Sequence, residues 1–221
     1  MLACLYSGGK DSTLAIHRVH GSGGSVELLI TMVPKNDYSY MFHKPNVRYT
    51  SLQAEALGIR HIISETAGEK EKELVDLEQA LKANGVDELV TGAVASMYQK
   101  DRIDRICRKL GIKHISPLWG MDQLSELREI SEKFNAIVTS VSAEGLDESF
   151  LGARINSRLI EKLIKINSRY GINMSFEGGE AESFVLDAPL FRKSIGILRA
   201  HCVWSGASGV YVIDEAALEK K

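Results

Sequence analysis

Over its first two thirds the chain alternates short apolar runs with longer amphipathic stretches, the pattern of a parallel sheet whose strands are joined by crossover helices. Leu2 to Tyr6, Val26 to Val33, Ile59 to Ile63, Glu88 to Thr91 and Lys113 to Ser116 read as five strands. Between them Leu74, Leu77 and Leu81, and again Ile103, Ile106, Cys107 and Leu110, recur at helical spacing on one face. Gly58, Gly85 and Gly111 each follow a helical stretch and precede an apolar run, where a left-handed residue would end the helix. Past Pro117 the rhythm changes. A helix is expected from Gln123 to Lys133, a strand from Ala136 to Ala143 and a longer helix from Ile155 to Arg169. A glutamate-rich segment, Glu177 to Ser183, then leads into strands at Phe184 to Leu186 and Ser194 to Trp204. The expected fold class is therefore α/β: a Rossmann-like parallel sheet over residues 1–118 and a smaller C-terminal α+β domain over 119–221.

Composition narrows the function classes. With 27 basic and 29 acidic side chains the formal charge is -2, which argues against direct nucleic-acid binding. No apolar run approaches the roughly 20 residues of a membrane span, and the start carries no signal-peptide pattern, so no membrane association and a cytoplasmic location are expected. Cys4, Cys107 and Cys202 are scattered and form no CxxC pair, against a disulfide scaffold or a zinc ribbon. His17 and His20 stand three apart on the first helix, a spacing open to a metal, but no third ligand is close in sequence. Arg154, Arg158, Lys162, Lys165 and Arg169 form a basic stripe opposite Ile155, Leu159, Leu163 and Ile166, either a solvated face or a docking surface.

The strongest motif is Ser7-Gly8-Gly9-Lys10-Asp11-Ser12, placed between the first strand and a helix through Leu14, Ala15, Arg18 and Val19. Two glycines let the backbone turn tightly, and the following helix offers unpaired N–H groups and the positive end of its dipole to an anion. Ser7 and Ser12 add hydroxyls. No GxxxxGK[ST] occurs and no GxGxxG follows a strand, which disfavours common kinases and dehydrogenases. The loop resembles the pyrophosphate loop of the N-type (PP-loop) ATP pyrophosphatases, which cleave ATP between the α and β phosphates. That resemblance implies that Ser7, Gly8, Gly9, Lys10, Asp11 and Ser12 hold pyrophosphate, that Lys10 neutralises charge on the leaving phosphates and that Asp11 assists Mg²⁺. In a doubly wound sheet the ligand lies across the carboxyl ends of the strands, so Met32 and Val33 are expected beside adenine. Thr91 and Gly92, at the end of the fourth strand, are expected to form a ribose or phosphate wall, with Gly92 allowing close backbone approach.

Four further segments sharpen the resemblance: Thr91-Gly92-Ala93-Val94-Ala95-Ser96-Met97-Tyr98-Gln99-Lys100-Asp101-Arg102; Pro117-Leu118-Trp119; Glu177-Gly178-Gly179-Glu180-Ala181-Glu182-Ser183; and Asp187-Ala188-Pro189-Leu190-Phe191. Together, and over nearly the whole chain, they resemble the diphthine-ammonia ligase family. The implied reaction is amidation of the diphthine carboxylate on elongation factor 2 with ammonia, driven by ATP going to AMP and pyrophosphate through an acyl-adenylate. Glu177, Gly178, Gly179, Glu180 and Ser183 are then substrate-binding. Glu180 and Glu182 are catalytic candidates, one of them taking a proton from ammonium. Trp119, Tyr98 and Phe184 would hold the quaternary ammonium of diphthine. Arg102 would pair with the substrate carboxylate or the α phosphate. The aromatic stretch Asp37 to Asn46, with Tyr38, Tyr40, Phe42 and His43, is a candidate substrate wall or a plain surface loop. Phe176 stands where many relatives have a small residue or glycine, and Ala181 where others have an aromatic. Two other classes share the loop: a tRNA-modifying adenylase, which should show paired cysteines and a basic face, and a non-enzymatic adenine-nucleotide-binding module.

Overall fold

The computed structural model describes residues 1–34, 46–66 and 72–221. Each of the five apolar runs becomes a strand: β1 (Leu2–Leu5), β2 (Leu28–Pro34), β3 (Arg60–Thr66), β4 (Glu88–Val90) and β5 (Lys113–Ile115). They form one parallel sheet in the order β3-β2-β1-β4-β5, so the chain direction across the sheet reverses between β1 and β4. Helices α1 (Lys10–Gly21), α2 (Thr50–Leu57), α3 (Lys72–Ala83) and α4 (Met97–Leu110) make the crossovers. Gly58, Gly85 and Gly111 all take positive φ, as helix-ending residues should.

Strand alternation divides the apolar residues between two faces. Leu28 and Ile30 pack with Leu74, Leu77 and Leu81 of α3 and with Ile103, Ile106 and Cys107 of α4. Cys4, Leu29 and Val90 face the other way, onto α1.

The chain continues through α5 (Gln123–Lys133), β6 (Asn135–Val141) and α6 (Ser157–Tyr170) to β7 (Ala181–Asp187), β8 (Lys193–Ser205) and β9 (Ser208–Lys220). Both later helices start on a side-chain cap, Asp122 accepting from Ser125 N and Asn156 from Leu159 N. The four strands form an antiparallel sheet in the order β7-β6-β9-β8. One continuous core runs from the parallel sheet through Leu14, Ala15 and Val19 of α1 to Leu127, Phe134, Val138, Phe184 and Val185 of the second half. Burial of a residue such as Leu127, which is fully inaccessible, contributes about 1.5–3 kcal/mol. β9 is an element that sequence patterning did not suggest. Its pairing with β8 extends the sheet into a long hairpin that leaves Leu198 and Val203 exposed, so neither strand shows a clean inside-outside alternation.

Candidate active site

The Ser7–Ser12 loop lies at the carboxyl end of β1, where the sheet order reverses. Its turn needs Gly8, whose φ of 80° is unfavourable for any residue with a Cβ. The loop is tied internally: Gly9 N donates to Ser7 Oγ (3.3 Å), Ser7 Oγ lies 3.2 Å from Ser12 Oγ, and Thr13 Oγ1 donates to the Gly9 carbonyl (2.9 Å). It is also tied to the rest of the chain. The Gly8 carbonyl accepts from Gln53 Nε2 of α2 (2.8 Å) and from Val185 N of β7 (3.1 Å), and Lys10 N donates to Ser183 Oγ (3.1 Å). Gly9, extended, gives α1 no side-chain cap, which suits an anion at the helix start. The close approach expected at Gly92 is to the protein itself: a Cβ there would lie 2.6 Å from Ser12 N and 2.7 Å from the Asp11 carbonyl carbon.

A cavity of about 420 Å³ opens over this loop. It brings together Ser7, Gly9, Lys10, Asp11, Ser12, Met32, Thr91 and Gly92 from the first half with Glu177, Gly178, Gly179, Glu182, Ser183 and Phe184 from the second, and Tyr98 at the start of α4. Gly8, Val33, Arg102, Trp119 and Glu180 do not line it. His43 falls outside the described residues, as do Tyr38, Tyr40 and Phe42.

The glutamates of the acidic segment have separate places. Glu177 Oε2 accepts from Ala95 N and Ser96 N, both at 2.9 Å, and so grips the start of α4. Glu180 accepts from Asn173 N (3.0 Å) and Gly178 N (2.9 Å), closing its own loop rather than entering the cavity. Glu182 is in the cavity wall. Phe176 holds a left-handed φ of 68° while buried, a conformation that costs a residue with a Cβ roughly 1–2 kcal/mol and that glycine would adopt freely. Its ring lies 5.7 Å from Lys10 Nζ. Arg102 stacks on Tyr98, guanidinium carbon to ring centroid 3.6 Å, and Trp119 lies against Lys100 at 5.4 Å.

Lys10 is 1% exposed, and its ammonium pairs with Asp11 and, at 2.8 Å, with Glu126 of α5, itself fully buried. Burial alone would lower the Lys10 pKa, but the two carboxylates outweigh it and raise it. Burial, joined by the Glu126 charge, pushes the Asp11 carboxyl well above the usual range against the pull of Lys10. Neither Glu126 nor Gln53 was singled out from sequence. The available signal was a polar residue on an apolar helical stripe, Glu126 beside Leu127 and Ile130, Gln53 beside Ala54 and Leu57.

Metal readings also resolve. Both ring nitrogens of His17 are engaged, with Nδ1 donating to the Thr13 carbonyl (2.8 Å) and Nε2 accepting from Leu190 N (3.2 Å), which removes it as a ligand. Among the described residues no group of three or more His, Cys, Asp or Glu is placed to hold a metal ion. Cys4 and Cys107 are buried, and burial pushes the Cys107 thiol up to about 11. The basic stripe on α6 is exposed at Arg158, Lys162, Lys165 and Arg169 over a buried Leu159 and Leu163.

A doubly wound sheet with a glycine-turned loop at its reversal point, followed by a second, antiparallel sheet, is the Rossmann-like architecture of the PP-loop proteins. Residues 1–114 match the diphthamide synthase N-terminal domain, and residues 122–218 match the diphthamide synthase C-terminal domain. The chain is 30% identical over 218 residues to diphthine--ammonia ligase of Homo sapiens, covering 88% of this chain and 81% of that one. It is 33% identical over 214 residues to the Danio rerio protein of the same name, covering 86% and 84%. This chain belongs to the diphthine--ammonia ligase family, and so to the ATP-dependent ligases. A solved structure described as a predicted subunit of tRNA methyltransferase from Methanocaldococcus jannaschii aligns with a TM-score of 0.44 at 16% identity, over 85% of this chain and 96% of that one, too loosely to argue from. Among the described residues no helix is long and apolar enough to cross a membrane.

Proposed function

We propose that this enzyme converts the diphthine carboxylate of elongation factor 2 to its amide, using ATP and ammonia. The observation that carries the reading is one cavity walled on one side by the Ser7–Ser12 loop and on the other by the Glu177–Ser183 segment. The diphthine carboxylate attacks the α phosphorus, pyrophosphate leaves into the loop, and ammonia displaces AMP from the mixed anhydride. Holding these groups in line in one enclosed site is the main catalytic device.

In this reading residues 1–118 bind the nucleotide and residues 119–221 complete the acceptor site. Ser7, Gly9 and Ser12 hold the leaving phosphates, and Met32 packs on adenine. Lys10, committed to Glu126 and Asp11, fixes the Asp11 carboxylate in the loop. Mg²⁺, held at Asp11, would offset phosphate charge. Tyr98 and Phe184 offer ring faces to the quaternary ammonium. Glu182, rather than Glu180, accepts the proton from ammonium, while Glu177 and Glu180 shape the loop. Arg102 and Trp119, outside the cavity lining, contact the protein acceptor.

The test is to mix the protein with ATP, ammonium and elongation factor 2 bearing diphthine, following AMP and pyrophosphate release and the mass of the factor. Conversion of one carboxyl to a carboxamide, dependent on both ATP and ammonium and abolished by Asp11→Ala, is expected. Pyrophosphate release that follows added tRNA instead, with no amide formed, would overturn the choice of acceptor and leave the loop assignment standing. The thiolating alternative is disfavoured by the two buried, unpaired cysteines, Cys4 and Cys107.

A further inference from the structure

Beneath the cavity wall at the end of β4 lies a hydrogen-bonded chain that neither the motifs nor the proposed mechanism uses. Asp104 Oδ1 of α4 is 2.5 Å from His114 Nδ1 of β5, and the other face of that ring, Nε2, is 2.8 Å from Thr91 Oγ1 and 3.1 Å from Ser116 Oγ. Asp104 is itself held by Lys100, Nζ to Oδ2 2.6 Å. The His114 side chain is 7% exposed, and Thr91 lines the cavity.

The acid at one end of the chain sets the direction of the first bond. Burial works to raise the Asp104 carboxyl, but the bonds from His114 and Lys100 outweigh it and hold the group below the usual carboxylate range. An ionised carboxylate only accepts, so Nδ1 of His114 carries the proton. With a single ring proton, on Nδ1, Nε2 accepts, and the nearer hydroxyl, that of Thr91, is its donor; Ser116 Oγ, 3.3 Å from Thr91 Oγ1, is the second hydroxyl at that corner. What Thr91 retains for the cavity is lone-pair capacity alone. Phosphate oxygens are also acceptors and gain nothing from such a wall, whereas a sugar hydroxyl is a donor.

We propose that Asp104 and His114 are positioning residues that present Thr91 to the cavity as an obligatory hydrogen-bond acceptor, and that this wall selects a ribose hydroxyl of the bound nucleotide. The inference rests on the reading that ATP occupies this cavity. It resolves the ribose-or-phosphate alternative at Thr91 in favour of ribose. It also explains why a histidine on a short strand, outside the motifs, is enclosed by one acid and two hydroxyls.

The experiment measures the affinity of the full chain for ATP, 2′-deoxy-ATP and 3′-deoxy-ATP, alongside ring ¹⁵N NMR of His114. The unmodified protein should bind one deoxy analogue about fivefold more weakly than ATP, the size of a single neutral hydrogen bond. Its ring should show a protonated Nδ1 and a bare Nε2. Thr91→Ser should keep the preference, while Thr91→Val should bring the ratio near one. Asp104→Asn should do the same by offering Nδ1 a donor and reversing the tautomer, as loss of the acid does in other Asp-His pairs. The ratio does not depend on what fraction of a variant is folded, so a destabilised variant still reports. A doubly protonated ring, equal affinity of the unmodified protein for all three nucleotides, or an unchanged preference in both Thr91→Val and Asp104→Asn would overturn the relay. Failure of the unmodified chain to bind ATP at all would instead remove the nucleotide reading, and the relay with it.

Discussion

The Ser7–Ser12 loop and the Glu177–Ser183 segment face one cavity but take their shapes from different sources. The loop carries much of its own geometry, with a left-handed Gly8 and hydroxyl bonds from Ser7, Ser12 and Thr13 to neighbours a few residues away. The acidic segment is held by its charges, Glu177 reaching 81 and 82 residues back to Ser96 N and Ala95 N while Glu180 clamps Asn173 and Gly178. A carboxylate on backbone N–H groups makes strong charge-assisted bonds. The lesson is that acids clustered in sequence need not converge in a cavity, since two of the three glutamates here are spent on backbone.

The comparison can be pressed hardest at the ion pair beneath the loop. Lys10→Met leaves Glu126 buried without its cation, so equilibrium unfolding in denaturant should show a loss of about 3–5 kcal/mol. The double variant Lys10→Met with Glu126→Leu should recover a large part of it. No recovery would mean that the charges are not what joins α1 to α5.

Gly92→Ala comes next. Its Cβ would meet α1 backbone atoms that cannot swing away, so a stability loss of about 1–3 kcal/mol and a fall in pyrophosphate release of at least tenfold are expected. Normal release with only the stability loss would show that the loop tolerates displacement from β4.

Glu180→Ala and Glu182→Ala then separate shaping from chemistry. Both should keep ATP affinity within about threefold. Glu182→Ala should lower kcat for amide formation with little change in KM for the acceptor, whereas Glu180→Ala should raise that KM by loosening the loop. The opposite pattern would return the proton-accepting role to Glu180.

The smallest effect concerns His17, which joins α1 to the Asp187–Phe191 segment. Burial lowers its pKa in the folded chain, so the unfolded chain binds the proton more readily. The stability this contributes is present above about pH 6.5 and is lost as pH falls below that value toward the lower folded pKa. Melting temperature should therefore drop between pH 7.5 and 5.5, and His17→Gln should flatten that drop. Equal slopes would remove His17 as the cause.

Much of this was legible beforehand, for identifiable reasons. Strand runs buried on both faces and glycines at helix ends are local signals, and they marked the parallel sheet; the strand order, with its reversal beside the Ser7–Ser12 loop, rests on long-range pairing that no local signal carries. The fit of Met32, Thr91, Tyr98 and Ser183 around one cavity follows from that topology and from the motifs. The partnership of Lys10 with Glu126 was not legible, because it spans 116 residues and joins two helices whose periodicity marks only an apolar face. The same holds for Gln53, which reads as one polar residue in a short helix yet bonds carbonyls of both halves, Gly8 and Val185. Of the long hairpin the pattern marks the first strand, Ser194 to Trp204, and misses β9, whose half-buried residues do not alternate with exposed ones.

The seam between Gly8, Lys10, Ser183 and Val185 has a consequence for how such a gene can change. The cavity wall is split between residues 1–114 and 122–218, so neither stretch alone carries all of it. A different second half joined after residue 121 would need its own strand with a hydroxyl and an N–H at the places of Ser183 and Val185, or the Ser7–Ser12 loop would lose those two ties. Loops that do not touch that strand are therefore the more permissive places for change.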